Sequence, residues 1–268
     1  LAGGTGSIEE GQTVYTGTKG TVNLTQLATS AMRIEDLYYI LDYGTENAYP
    51  GDEWTRTELL GGESIGYEGQ HMGGSDRWGS DGKPWDSTVA AFQDSVSNAD
   101  VITMAAGNGN FGVYLFNCIL QAMGMPGAGY GLDYSYVTLE NALKFHGLDE
   151  QMRATIMDTY NTASVFLAGS LPLPQAETVA DRIAYVVASF LLCYNGVLDR
   201  IVEMNPDVDI IVMSLMNTMA LQDDQILQEN VTFGSLLKLV YGCLNQYLAN
   251  LPTQKLAENP DAYGESNI

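Results

Sequence analysis

The chain has 268 residues, enough for one large domain with a sizeable core. Hydrophobic residues make up 46%, a globular rather than a disordered composition. Eleven Lys and Arg stand against 33 Asp and Glu, a formal charge of −22. That balance excludes nucleic acid, whose phosphates need a basic footprint, and anionic lipid surfaces; the acidity serves solubility.

Leu1 to Gly11 is glycine-rich and too broken for a strand. Leu1 in place of Met reads as a processed or trimmed start, and no signal peptide is expected. Thr21 to Ala28 alternates with period two and predicts a strand. Ser30 is a candidate helix cap, after which Ile34, Leu37, Tyr38 and Leu41 share one helical face. Residues 43–84 form a long tract rich in glycine and aromatic residues, expected to be a loop insertion. Trp54, Trp78 or Trp85 would wall a crevice there, or pin the loop to the surface. Asp86 starts a helix with Val89, Phe92 and Val96 facing the core.

Val101 to Ala106 is a short apolar run that predicts a buried strand. It breaks into Gly107-Asn108-Gly109-Asn110, and a helical pattern follows from Val113 to Met123. Glycines and amides at the carboxyl end of a buried strand are the material of a ligand crevice, or of a tight turn. Two shorter helices are expected over Thr138–His146 and Asp149–Tyr160. Leu171-Pro172-Leu173-Pro174 is a stiff connector into a long helix from about Gln175 to Met204. The most apolar part of that helix, Ile183 to Val202, carries Asn195, Asp199 and Arg200, and reads as core rather than a membrane span. Asn205-Pro206-Asp207 stops it, and Asp209 to Leu215 is a second buried strand with an exit turn at Met216–Met219. A last helix is expected over Phe233–Ala249.

Buried strands alternating with long helices predict an α/β fold, a three-layer α/β/α arrangement with a central parallel sheet containing Val22–Ala28, Val101–Ala106 and Ile210–Leu215. Cys118, Cys193 and Cys243 lie in helical apolar patterns and read as buried free thiols. Only two histidines, His71 and His146, are present, so no metal site and no cofactor are expected.

Several blocks, taken in order, resemble the SGNH hydrolase superfamily, the GDSL-type lipases and esterases. Asp100-Val101-Ile102-Thr103 through Gly107 to Phe111-Gly112 is similar to the family's strand ending in Gly-x-Asn-Asp. Gln26-Leu27-Ala28-Thr29-Ser30-Ala31-Met32-Arg33 followed by Glu35-Asp36-Leu37 resembles its Asn-Leu-Ala-x-x-Gly-x-Arg-x-x-Asp-Leu block. Asn205-Pro206-Asp207 leading into Ile210-Ile211-Val212 resembles the strand after its long helix, and Thr5-Gly6-Ser7 through Gly11 resembles the nucleophile block.

The resemblance implies a single SGNH-like (flavodoxin-like) domain over 1–268, lacking the family's C-terminal strand and His block, and a secreted or cell-surface, bacterial setting. It implies an ester or acyl, including glycan ester, substrate. Ser7 would attack, and the Ala31 N–H with an amide of Asn108 or Asn110 would hold the oxyanion. Gly6 stands at the family's Asp and Ala31 at its Gly, and an ungapped reading puts Gly109 at its Asn. No Asp-x-x-His occurs, which leaves His71, in the long loop, as the candidate base. Two functions stay open: a serine esterase or deacylase, and a catalytically degenerate domain of the same fold acting as an extracellular binding module.

Overall fold

A computed structural model of the chain describes residues 12–17, 20–25, 33–42, 86–125, 134–216 and 233–264. In chain order its elements are β1 (Gln12–Gly17), β2 (Gly20–Thr25), α1 (Ile34–Asp42), α2 (Asp86–Ser97) and β3 (Val101–Met104). A π-helical turn (Gly109–Leu115) then runs into α3 (Phe116–Ala122). After these come α4 (Leu139–Ala142), α5 (Glu150–Ala168), α6 (Leu173–Met204), β4 (Asp209–Val212) and α7 (Phe233–Glu258).

The described residues are α/β in content, mostly helical, with a small parallel sheet. β3 and β4 pair in parallel, Val101 beside Asp209 through Met104 beside Val212. The expected third strand is corrected: Val22–Thr25 lies in β2, which pairs antiparallel with β1 in a separate sheet, while the remainder of the expected strand, residues 26–28, lies outside the described residues. Chain length explains it. Only two residues separate β1 from β2, and so short a link can join only antiparallel neighbours. The signal was present in Thr13-Val14-Tyr15-Thr16, a β-branched and aromatic run between glycines.

The two parallel strands are also less enclosed than a continuous apolar run suggests. Met104 and Ile210 are buried, whereas Val101 and Ile211, on the other face, are each 52% exposed. Among the described residues one face is covered and the other is open, the alternation of a one-sided sheet.

α6 is the centre of the core. From Arg182 to Leu191 every residue is buried, and nearly three turns without an exposed position mean that all sides of the helix are covered. α1, α2, α3, α4 and α5 all pack on it, and α7 packs on α5. Its entry follows from Pro172 and Pro174: proline fits a first turn, where its missing N–H has no partner to lose. Among the described residues it is the one helix long and apolar enough to cross a membrane, and 78% of its most apolar window is buried by the protein itself.

Other helices overrun or fall short of their sequence patterns. α5 continues to Ala168, with Asp149 Oδ1 accepting from Met152 N at 2.7 Å as its cap. α7 passes through Pro252 to Glu258. Proline removes one hydrogen bond, and here burial of Leu251 and the pairing of Lys255 Nζ with Asp199 Oδ1 at 2.7 Å hold the turns that follow. α4 is a single turn, so His146 lies in the turn beyond it rather than on a helix. Cys118 and Cys193 are buried and in no disulfide, and Cys243 is partly covered.

Asn205 closes α6 onto the sheet. Its Nδ2 donates to Val96 O at 2.9 Å and to Ala99 O at 2.8 Å, bridging the end of α2 to the entry of β3. Asn205→Ala leaves both carbonyls without this donor and is expected to lower stability by about 1–3 kcal/mol, read as a lower urea midpoint at unchanged m-value.

Candidate functional site

β3 delivers the chain to Gly107, which is buried with φ +124°. A Cβ there would come within 2.5 Å of Leu215 Cδ2 and 3.2 Å of Phe190 Cε2. Glycine is therefore required twice, for the backbone conformation and for the space. Phe111 N donates to Gly107 O at 3.0 Å, so the helix begins directly at this corner. It begins as a π-helical turn, a form found often at functional sites.

Asn110 is fully buried in that turn. Its Oδ1 accepts from Ile34 N at 2.9 Å, and its Nδ2 donates to Glu35 Oε2 at 2.7 Å. Glu35 Oε1 in turn accepts from Ser189 Oγ, on α6, at 2.5 Å. The first amides of a helix have no partner within it, so Asn110 supplies from 76 residues away what a local cap would supply.

Arg33 completes the arrangement. Asp36 Oδ2 accepts from the Arg33 N at 2.9 Å, the backward half of a capping box. Asp36 Oδ1 lies 3.7 Å from Arg33 Nη2, and the guanidinium sits 4.9 Å from the centroid of the Tyr114 ring. Arg33, Glu35, Asp36, Asn110 and Ser189 are all at most 3% exposed. Groups so enclosed position backbone; they do not exchange protons with a substrate in solvent.

The candidate residues therefore separate. Asn110 is committed to Ile34 and Glu35. Asn108 is exposed at the mouth of the same turn, with no capping hydrogen bond on its side chain. Ser7, Ala31 and His71 lie outside the described residues, as do the 43–84 tract with Trp54 and Trp78 and the adjoining Trp85. Among the described residues no three of His, Cys, Asp and Glu gather to hold a metal.

Ser189 and the pairing role of Glu35 were missed by sequence reasoning. The signal was faint: a lone hydroxyl in the apolar run Val186-Val187-Ala188-Ser189-Phe190, and a carboxylate one residue inside a helix start. Compared with known protein families, characterised proteins and solved structures, the chain matches none.

Asn110→Ala removes two buried hydrogen bonds and strips the Ile34 amide and the Glu35 carboxyl of a partner. It is expected to destabilise the fold by about 2–4 kcal/mol, measured by chemical denaturation. Ser189→Ala, which removes one bond from the same carboxyl, is expected to cost about half as much.

Proposed function

We propose that this chain carries the scaffold of an SGNH-type hydrolase acting on ester or acyl (acetyl) groups. The observation that supports it is the bond from the Ile34 N–H to Asn110 Oδ1. It joins Ile34, three residues after Ala31 in the sequence, to the Gly107–Asn110 turn, and in this reading the donors of those two blocks converge on one oxyanion. The turn lies at the carboxyl end of a parallel strand, where open α/β sheets hold their ligands.

In this reading Ser7 is the nucleophile, and the oxyanion donors are the Ala31 N–H and the Asn108 amide. Asn110 has the structural role, since its Oδ1 and Nδ2 both serve α1. His71 is the candidate base. A tetrahedral oxyanion needs donors fixed before it forms, and a corner held by Gly107 and a buried polar network is a rigid mount for one.

A second reading is favoured by the same bonds. If Asn110 was the ancestral oxyanion donor, its engagement by Ile34 and Glu35 has retired it, and the domain binds acyl or glycan ligands without hydrolysing them.

Fluorophosphonate labelling with peptide mapping, alongside p-nitrophenyl acetate turnover, separates the two. The hydrolase reading expects a label on Ser7 that Ser7→Ala abolishes. It also expects turnover to fall by about 10²–10³ in Asn108→Ala with circular dichroism unchanged. Turnover equal in the native chain and Ser7→Ala, with no label, establishes the binding module instead.

A further inference from the structure

A cavity of about 440 Å³ opens among Tyr38 of α1, the His146–Asp149 turn, α6 and the last turns of α7. Among the described residues, neither Asn108 nor Asn110 lines it. Its volume is in the range of small-molecule sites. Its walls are of two kinds: Tyr38, Met152 and Leu192 supply apolar surface, and Asp149, Asp199 and Glu258 bring three carboxylates against the single ammonium of Lys255.

That ammonium is already spent. Lys255 is 5% exposed, and its Nζ donates to Asp199 Oδ1 at 2.7 Å and Oδ2 at 2.9 Å. Asp199 also accepts from the Tyr263 hydroxyl, yet half of its side chain remains open. The carboxylates therefore outnumber the cations around the space.

Asn195 is the second, independent sign of a ligand. It is 6% exposed and lines the cavity. Its Nδ2 donates to Leu191 O and to the Tyr247 hydroxyl, each at 2.8 Å, which fixes the amide orientation. Its Oδ1 accepts nothing from the protein. That oxygen is not sealed from the space it borders, so a donor entering the cavity can reach it.

The geometry points to a binding site for a short aliphatic amine, mono- or dicationic, in this cavity. An ammonium group would donate to Asn195 Oδ1 under the field of Asp149, Asp199 and Glu258. Its methylene chain would lie along Leu192, Met152 and Tyr38. An anion would meet uncompensated carboxylates, and a neutral diol would satisfy Asn195 without using the charge.

The probe is 1,4-diaminobutane, titrated into the full chain by isothermal calorimetry at 0.15 M salt, with 1,4-butanediol as the uncharged control. Saturable one-to-one binding of the diamine, and none of the diol at the same concentrations, is the expected result. A chain of net charge −22 also gathers cations without a site, so the deciding variants scarcely change its charge. Leu192→Trp fills the cavity and is expected to weaken binding by at least about tenfold. Glu258→Gln, at an exposed position that needs no repacking, is expected to weaken it by about three- to tenfold. The proposal is overturned if the diamine shows no saturable binding, if Glu258→Gln binds it as the native chain does, or if the diol binds equally well. Should Leu192→Trp fail to fold by circular dichroism, Glu258→Gln alone carries the decision.

Discussion

A helix buried on every side makes an unpartnered polar group costly, and α6 places that constraint on what surrounds it. Three of its buried polar residues have each recruited a specific element. Ser189 donates to Glu35 of α1, Arg182 Nη1 donates to Val137 O in the loop before α4, and Asn195 donates to Tyr247 of α7. Each bond contributes only about 0.5–1.5 kcal/mol net, but leaving its groups dry and unpaired would cost more than that. These contacts thus act as addresses, fixing where α1, the α4 entry and α7 can sit. The same dryness shifts the ionisable groups. Burial lowers the affinity of Arg182 for its proton, raises the Tyr194 and Tyr247 hydroxyls well above their ordinary range, and pushes Tyr241 up to about 12.

From Ser189 the constraint passes outward. Glu35 takes the Ser189 hydroxyl on one oxygen and the Asn110 amide on the other. Asn110 passes it to the Ile34 N–H, so the exit of β3, the start of α1 and the middle of α6 are fixed together. A buried network like this rigidifies when every member is satisfied. Its product is a corner at Gly107–Asn108 whose backbone has little freedom, with an exposed amide at its tip. Precision of that kind suits a site that must meet a developing charge. It suits a binding module as well, which is why labelling chemistry rather than geometry separates the two functions.

The parts legible in the sequence were those governed by local pattern. The apolar stripe of α6, the β-branched starts of β3 and β4, and the glycine break at 107 all follow from period and propensity. Legibility failed where contacts are distant. Nothing near Asn110 distinguishes an amide that reaches a ligand from one that caps a helix 76 residues earlier. The strands read as buried because an apolar run looks the same whether one face or both are covered. β2 was placed in the wrong sheet because its partner β1, a short Thr-Val-Tyr-Thr run between glycines, went unread as a strand. The cavity beside Asn195 was invisible for a related reason. Its walls come from Tyr38, the 146–149 turn, α6 and α7, and no spacing in the chain brings these together.

One glycine connects the two regions. Ser189 and Gly196 are seven residues apart, so they lie on one face of α6, two turns along the axis. Glu35 and Tyr38, one turn apart on α1, face them in the same order. At Gly196 a Cβ would stand 2.8 Å from the Tyr38 ring, so the close approach of α1 depends on the missing side chain. Glycine inside a helix costs about 1 kcal/mol relative to alanine. Here it lets the helices come near enough for the Glu35 carboxyl to reach the Ser189 hydroxyl, and it lets Tyr38 lie against α6 as a wall of the amine cavity. The sacrifice in helix propensity at 196 is therefore offset at 189, and the polar network behind the β3 exit rests on a packing contact in the neighbouring cavity.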